Sequence, residues 1–320
     1  IADSAFYYCK ELTSIDLPTS IAVIGKESFR DCRLLKSIKL PNITNVPYDA
    51  FCNCKELESI DISNVTTIDE DAFYSCRSLK SISDLSNVKE IPRRAFYRCD
   101  SLKSINIPNV ITIGERAFQG CAFDTIDLPK VETIGISAFL SCKNLRSINM
   151  PKVRIIGGAA LCYCAFTSLN LPATLDSIGG NALSYNSGLK YITIDEANEN
   201  FAVKDNVLYD KDFTKLIQYP IGQEAKSISV LNTVTTIGGG AFSSCSFVER
   251  VDMPNVNIIE SGAFSWCIDL KSVNMPKVTA IETSVFLQCK NLNSINIPNV
   301  TKIESSAFES CSNLQKVVLG

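Results

Sequence analysis

The chain has 320 residues, with 14 cysteines, no histidine and a net charge of -3. The absence of histidine excludes a Ser-His-Asp triad, a Cys-His pair and a His-ligated metal built from this chain alone. Hydrophobic residues make up 46% of the chain, which is enough for a packed core. The basic residues are scattered, so we expect no nucleic-acid partner. No apolar run reaches the about 18 residues of a membrane-spanning helix.

One sequence pattern recurs about every 22 residues along the chain. Its clearest landmark is a phenylalanine or leucine that follows a small residue, usually alanine. The thirteen positions are Phe6, Phe29, Phe51, Phe73, Phe96, Phe118, Phe139, Leu161, Leu183, Phe242, Phe264, Phe286 and Phe308. All intervals are 21 to 23 residues except one of 59, between Leu183 and Phe242. A fixed period of this length is typical of a solenoid, in which repeats stack on one another.

One repeat reads Leu-x-Ser-Ile-x-Leu-Pro-Asn-Val-x-x-Ile-Gly-x-x-Ala-Phe-x-x-Cys-x-x, and about 14 copies can be counted. The alternation in Ser-Ile-x-Leu predicts a strand with one buried face, and the proline ends its pairing. The Ala-Phe-x-x-Cys segment predicts one or two helical turns. Each repeat leaves an apolar stripe that only a neighbouring repeat can cover, so residues 1–320 are predicted to form a single solenoid.

The run Ile-Gly-x-x-Ala-Phe-x-x-Cys-x-x-Leu-x-Ser-Ile-x-Leu-Pro resembles the BspA-like (Treponema pallidum type) leucine-rich repeat over nearly the whole chain. The resemblance implies an α/β-class solenoid that is right-handed and curved. It implies a concave parallel β-sheet, with short helical turns on the other side. It also implies an exported bacterial or protist surface protein, of a class in which several members are linked to adhesion.

Both ends of the sequence fall inside a repeat, at Ile1 and at Gly320. A finished solenoid usually carries polar caps, and none is evident here. We therefore expect a fragment of a secreted or cell-surface protein, with any signal peptide or anchor outside the segment.

The long interval points to an insertion at residues 195–224. Val207-Leu208-Tyr209 and the run from Leu216 to Tyr219 are strand-like, and Asp210-Lys211-Asp212 is a turn candidate, so we expect a β-hairpin within the solenoid. It is either a recognition loop or a spacer typical of the family. Calcium binding by Asp205, Asp210 and Asp212 has little support, because the glycine and closing glutamate of a known calcium loop are absent.

Twelve cysteines occupy one position of the repeat, where one copy has Asn186 instead. They are Cys9, Cys32, Cys54, Cys76, Cys99, Cys121, Cys142, Cys164, Cys245, Cys267, Cys289 and Cys311. Side chains at the same position of successive repeats point the same way about 5 Å apart, which favours a column of buried free thiols. Disulfides between repeats are the alternative. Cys52 and Cys162 do not occupy this repeat position. Each forms a Cys-x-Cys pair with the column cysteine two residues later, which is a weak indication of metal binding.

The strand positions that face away from the core carry mostly small polar residues, so the concave face is either a polar groove or a solvated sheet. Among them only Tyr191 and Arg250 are of the types that dominate binding energies. The turn segment carries more aromatic residues, including Tyr74, Tyr97 and Trp266, which we expect to be largely exposed. These five residues are the candidate binding surface.

The favoured function is a non-catalytic interaction scaffold, secreted or at the cell surface, that serves adhesion or binds a host or microbial protein. The alternative is a carbohydrate-binding or cell-wall-associated module of a larger protein, because sugar rings stack on exposed aromatic side chains. The acidic run Asp69-Glu70-Asp71 is expected on an exposed turn, where raised pKa values are not anticipated. No catalytic, cofactor or metal site is predicted.

Overall fold

The computed structural model describes all residues from Ile1 to Gly320 and contains strands and turns but no helix. No element is therefore of the length and apolar character needed to cross a membrane as a helix. The residues divide into two compact units. The first comprises Ile1–Ala165 with Thr174–Ala182, and the second Phe166–Ala173 with Leu183–Gly320. The single solenoid over residues 1–320 stays a prediction.

Each unit is built of stacked coils, and most coils contribute one short strand to a first set of parallel pairs, the first ladder. These strands are Ser37–Lys39, Ser59–Asp61, Ser81–Ile82, Thr125–Asp127 and Ser147–Asn149 in the first unit, and Ser168–Leu171, Tyr191–Ile194, Ser227–Ser229, Arg250–Asp252, Ser272–Asn274, Ser294–Ile297 and Lys316–Leu319 in the second. Ile38 lies opposite Ile60, and both are buried between exposed neighbours. The predicted alternation of the Ser-Ile-x-Leu segment is confirmed.

A second parallel ladder forms from the return segment of each coil. Its strands are Asn45–Val46, Thr67–Ile68, Glu90–Ile91, Thr112–Ile113, Thr133–Ile134, Ile155–Ile156 and Ser177–Ile178 in the first unit, and Lys215–Gln218, Thr236–Ile237, Ile258–Ile259, Ala280–Ile281 and Lys302–Ile303 in the second. The register is strict, with Ile113 opposite Ile134 and Ile134 opposite Ile156. The inward isoleucines of neighbouring coils thereby meet in one row within each unit, which is buried except at its end, where Ile178 in the first unit is half-buried and Ile303 in the second is exposed.

The Ala-Phe-x-x-Cys segment is not helical, so the expected helical turns and the α/β class are not found. Its backbone enters the left-handed region every fourth residue, for example at Glu27 (φ 55°) and Asp31 (φ 59°). Between them, the amide of Phe29 donates to the carbonyl of Ala50 in the next coil at 2.9 Å. An α-helix would direct every amide to the carbonyl four residues earlier, and none would remain to join the coils. The segment instead forms two successive turns whose alternate amides bond the neighbouring coil.

The phenylalanine of each repeat is a core residue. In the first unit the rings stack from Phe6 to Phe139 at centroid separations of 5.1 to 5.5 Å. In the second unit a similar stack runs from Phe242 to Phe308 at 4.9 to 5.5 Å. Nearly parallel rings at these distances are offset-stacked, which adds to the stabilisation from burial.

The cysteine column joins successive coils through hydrogen bonds. All 14 cysteines are free, and 13 are buried, in agreement with the predicted column, while Cys9 is exposed. Ten thiols donate to the carbonyl of the phenylalanine in the preceding coil, at 2.9 to 3.4 Å. They belong to Cys32, Cys54, Cys76, Cys99, Cys121, Cys142, Cys164, Cys267, Cys289 and Cys311. Burial raises the pKa of the Cys32 thiol to about 11 and that of Cys142 to about 12.

The insertion at 195–224 contains three antiparallel strands. Phe201–Lys204 pairs with Val207–Asp210, which in turn pairs with Lys215–Gln218. The last strand also pairs in parallel with Thr236–Ile237, so it doubles as the second-ladder strand of its coil. Tyr219 follows it and stacks on Phe242 at 5.3 Å, at the position where other coils have phenylalanine.

The Asp210 carboxylate is used inside this insertion. Its Oδ1 accepts the amides of Thr214 at 2.7 Å and Lys215 at 2.8 Å, which closes the turn between the last two strands. Across the whole structure, no group of three or more Cys, Asp or Glu side chains is arranged to hold a metal ion.

Candidate functional site

Two of the predicted binding residues, Tyr74 and Tyr97, are brought together by the backbone register of the turn segment. Each follows the core phenylalanine of its coil. The amide of Phe73 donates to the carbonyl of Ala95 at 2.9 Å, and the amide of Ser75 donates to the carbonyl of Tyr97 at 2.7 Å. The two coils are thus aligned on both sides of Tyr74. Its ring stacks on Tyr97 with centroids 4.8 Å apart and planes 13° apart.

Two arginines flank this pair of rings. The Arg94 guanidinium carbon lies 5.7 Å from the Tyr74 centroid, and that of Arg98 lies 6.0 Å from the Tyr97 centroid. Both distances are within the range of a cation–π contact. We call Tyr74, Tyr97, Arg94 and Arg98 the turn-side patch. The arginines were missed from the sequence, although the run Arg93-Arg-Ala-Phe-Tyr-Arg98 placed them beside Tyr97.

A buried carboxylate fixes one of the arginines. Asp71 is only 3% exposed, and its Oδ2 accepts a hydrogen bond from Arg94 Nη2 at 2.6 Å. Burial raises the pKa of Asp71, and the bond and charge of Arg94 act in the opposite direction. The expectation of an exposed acidic turn at Asp69-Glu70-Asp71 is therefore wrong for Asp71. Its backbone is left-handed (φ 58°), and its buried side chain positions Arg94.

The two tyrosines are half-buried, whereas the sequence predicted that they would be largely exposed. The cause is their mutual stacking, since each ring covers a face of the other. A site of this kind presents ring edges and two guanidinium groups. Such groups form apolar contacts and hydrogen bonds, as the residues of protein interfaces do.

Trp266 lies in the second unit and at a different position of the turn segment. It is 40% exposed and has a left-handed backbone with φ of 62°, two residues after its core phenylalanine. Two further exposed apolar residues, Phe247 and Ile268, lie in the same coil or the one before it. Trp266 therefore belongs to a separate, apolar part of the surface.

Tyr191 and Arg250 lie on the outward face of the first ladder in the second unit. Tyr191 is 55% exposed and lies opposite Ser168. Arg250 lies between Ser227 and Ser272, where it lines a cavity of about 370 Å³ with Asp252 and other outward residues. The structure thus brings together Tyr74 and Tyr97 but none of the other candidates.

Polar side chains on this outward face mostly bond to one another. Asn149 donates to the Asp127 carboxylate at 2.6 Å, and Asn274 donates to Asp252 at the same distance. Thr193 donates to Asn170 at 3.0 Å. Such cross-strand pairs stabilise the ladder and leave fewer free groups for a ligand, which favours the turn-side patch as the candidate site.

Coils that each carry two short parallel strands and a buried leucine-type core define a leucine-rich-repeat solenoid. The chain belongs to the BspA type leucine rich repeat region family, whose model matches in six copies over residues 1–123, 111–220 and 221–320. The recognition made from the repeat pattern is confirmed. No curated protein matches the chain.

Solved structures agree with this assignment. A leucine rich cell surface protein from Faecalibacterium prausnitzii A2-165 is 33% identical, with a TM-score of 0.73 over 89% of this chain and 83% of that one. A leucine-rich repeat protein from Bacteroides ovatus is 26% identical, with a TM-score of 0.63 over 87% and 73%. The pneumococcal vaccine antigen PcpA, 21% identical, shares the fold with a TM-score of 0.68 over 100% of this chain and 75% of that one. The chain is thus a repeat scaffold of the kind found in bacterial surface proteins.

Proposed function

We propose that this chain is a non-catalytic scaffold, secreted or displayed at a bacterial cell surface, that binds a host or microbial protein and serves adhesion. The observation that carries the proposal is the stacked Tyr74–Tyr97 pair with Arg94 and Arg98 beside it. Tyrosine and arginine are the residue types most enriched in the energetic centres of protein interfaces. The similar cell surface protein from F. prausnitzii supports the location.

The patch is held in place before any partner arrives. Arg94 is bonded to the buried Asp71, and both tyrosines lie on turns that are bonded to neighbouring coils. Each of these side chains has already lost much of its rotamer freedom, so less entropy is lost when a partner binds. A rigid patch on a repeat array is therefore suited to selective, reversible recognition.

The non-catalytic part of the proposal follows from the available reactive groups. The chain lacks histidine. Eleven of the twelve column thiols are buried. Burial raises the pKa values of ten of them, for example those of Cys76 and Cys99. A thiol must ionise to act as a nucleophile, so these cysteines are unsuited to catalysis at neutral pH.

A carbohydrate-binding or cell-wall-associated module is the second candidate function. The specific observation in its favour is a polar cavity of about 490 Å³ that adjoins Tyr97. Cavities of this size accommodate small ligands such as a sugar residue.

The test compares a panel of immobilised host-matrix proteins with a glycan array. The variant Tyr74→Ala with Tyr97→Ala removes the stacked rings of the patch. Tyr7→Ala with Tyr8→Ala is the matched control, because those rings also stack, at 6.0 Å, and are 47% and 50% exposed. We expect binding to at least one protein, weakened about tenfold or more by the first variant only. Binding to glycans alone, abolished by the first variant, would rule out the protein partner.

A further inference from the structure

The coil of Phe118 has a shorter corner than the coils on either side. Thr125 follows Cys121 by four positions, whereas Ser104 follows Cys99, and Ser147 follows Cys142, by five. The missing residue removes the turn that connects the cysteine to the first-ladder strand. Turns are present at the corresponding points of the neighbouring coils, at 100–101 and 143–144, and absent from this one. Two protruding corners therefore flank a recessed one.

Small residues keep the recess open. Gly120 and Ala122 occupy the short corner on either side of Cys121. The resulting cavity of about 490 Å³ is lined by residues that include Tyr97, Arg98, Gln119, Gly120, Ser141 and Lys143. We call these six residues the corner notch. It begins at Tyr97, where the stack with Tyr74 ends, and extends across the next two coils.

The charges in the notch favour an anion. Arg98 and Lys143 are exposed and have no carboxylate within ion-pair distance. The one lining carboxylate, Asp100, lies 3.8 Å from Arg77 Nε, which offsets its charge. A guanidinium and an ammonium that line one cavity can both form charge-assisted hydrogen bonds with a carboxylate.

Two uncharged groups narrow the class of ligand further. The Gln119 Oε1 atom is buried and accepts no hydrogen bond, so it lacks the donor that such an atom normally has. Gln119 lines the notch, so a rotation of its side chain toward the notch would let Oε1 accept a hydroxyl group of a ligand. The Tyr97 side chain also lines the notch and provides an apolar contact beside the guanidinium of Arg98.

The geometry points to the corner notch as a binding site for a carboxylate-bearing sugar residue of a glycan. Arg98 and Lys143 bind the carboxylate, and Gln119 turns its Oε1 into the notch to accept a sugar hydroxyl. The C–H groups of the sugar ring contact the Tyr97 side chain. Uronic and sialic acids both have this chemistry. The inference rests on the proposed surface location and specifies the sugar class for the second candidate function. The notch shares Tyr97 and Arg98 with the turn-side patch, whereas Gln119, Gly120 and Lys143 belong to the notch alone.

The binding test uses the whole 320-residue chain and isothermal titration calorimetry. The acidic probes are sialyllactose and a hyaluronan hexasaccharide, and the neutral references are lactose and chitohexaose. We expect one acidic probe to bind about tenfold or more tightly than its neutral reference, because two charge-assisted bonds are lost in the reference. The probe that binds identifies the acid. Equal affinity for acidic and neutral probes, or binding of neither acidic probe, overturns the inference.

Two variants locate the binding. Arg98→Gln with Lys143→Gln should weaken acidic-probe binding about tenfold or more, whereas Lys103→Gln with Arg146→Gln makes the same charge change elsewhere and should not. Gly120→Gln should fill the notch and abolish binding. A glutamine is compatible with that backbone, since Gln288 has φ of 61° at the same repeat position, and a Cβ at Gly120 would meet nothing closer than 3.8 Å.

The outcomes separate this site from the protein-binding proposal. If the acidic sugar binds and the Arg98/Lys143 variant removes it, the notch is supported even when no host protein binds. If a host protein binds through Tyr74 and the acidic probes do not bind, only the notch assignment fails. If the control variant weakens acidic-probe binding as much as the notch variant, general charge attraction explains the affinity and the assignment is overturned.

Discussion

The thiol of Cys121 donates a hydrogen bond to the carbonyl oxygen of Phe96, 3.3 Å away in the preceding coil. The same oxygen accepts the amide of Cys99 at 3.2 Å. Nine other column thiols make the equivalent bond, and each also fills space beside a core phenylalanine. The cysteine column is therefore both a packing element and a hydrogen-bonded connection between coils. A disulfide would divert the sulfur from this carbonyl.

The first prediction concerns thiol reactivity. In the native protein a thiol reagent at neutral pH should modify Cys9 alone, because the other 13 cysteines are buried. Burial also raises the pKa values of twelve of these thiols, for example Cys32 and Cys162, which suppresses the reactive thiolate. The measurement is a colorimetric thiol count before and after denaturation without reductant, and the denatured count should be 14. A count below about 12 would indicate disulfides between coils.

The second prediction is a loss of stability at alkaline pH. Unfolded thiols ionise near the ordinary pKa of 9.0, while burial holds Cys32 at about 11 and Cys142 at about 12. Above pH 9 the unfolded state therefore releases protons that the folded state retains, and folding weakens as pH rises. Each such thiol contributes about 1.4 kcal/mol per pH unit between its unfolded and folded pKa values.

Urea unfolding at pH 7 and pH 10 measures this effect. Cys142→Ala removes one of the titrating groups, so its free energy of unfolding should fall less steeply over this range than that of the parent chain. A free energy of unfolding that is the same at both pH values would show that the thiols titrate alike in the folded and unfolded states.

The third prediction concerns the ring stack. Phe118 is fully buried and stacks between Phe96 at 5.5 Å and Phe139 at 5.4 Å. Phe118→Ala should lower the free energy of unfolding by about 3–5 kcal/mol, because it leaves a cavity. Phe118→Leu is the control, since Leu161 and Leu183 occupy the same repeat position, and it should cost about 1.5 kcal/mol or less. Similar denaturation midpoints for the alanine variant and the parent would show that the stack is dispensable.

The fourth prediction tests how the insertion is anchored. Tyr219 is 3% exposed, stacks on Phe242 and donates its hydroxyl to Gln223 Oε1 at 3.1 Å. Tyr219→Ala should cost about 3–5 kcal/mol, whereas Tyr219→Phe keeps the ring and should cost about 1 kcal/mol. Thermal unfolding and protease sensitivity near residues 205–214 provide the readout. Equal losses for both variants would place the anchor in the hydroxyl bond and not in the ring.

The sequence predicted the contacts that equivalent residues of successive coils make with one another. Ile38 lies opposite Ile60 and Phe29 stacks on Phe51, because identical positions of successive coils are neighbours in a solenoid. The cysteine column followed from the same reasoning. Periodicity identifies such contacts directly, and no knowledge of the backbone path between strands is needed.

The turn segment could not be derived in this way. Its length allowed a helical turn. Glu27 and Asp31 adopt left-handed conformations instead, and neither position carries the glycine that would have predicted one. The stabilisation that favours these conformations comes from the next coil, because the amide of Phe29, between Glu27 and Asp31, donates to the carbonyl of Ala50. Hydrogen bonds between coils offset the conformational energy that a positive φ costs. Because these bonds join different repeats, the pattern within one repeat does not predict them.

By itself the sequence determined the repeat length, the buried rows and the family, because burial of one apolar stripe by the next repeat is encoded at fixed spacing. Only the tertiary structure decided that Tyr74 and Tyr97 are half-buried partners, that Asp71 is buried against Arg94, and that Tyr219 takes the place of a phenylalanine. These features depend on which different side chains two neighbouring coils place side by side, and the repeat pattern leaves that open.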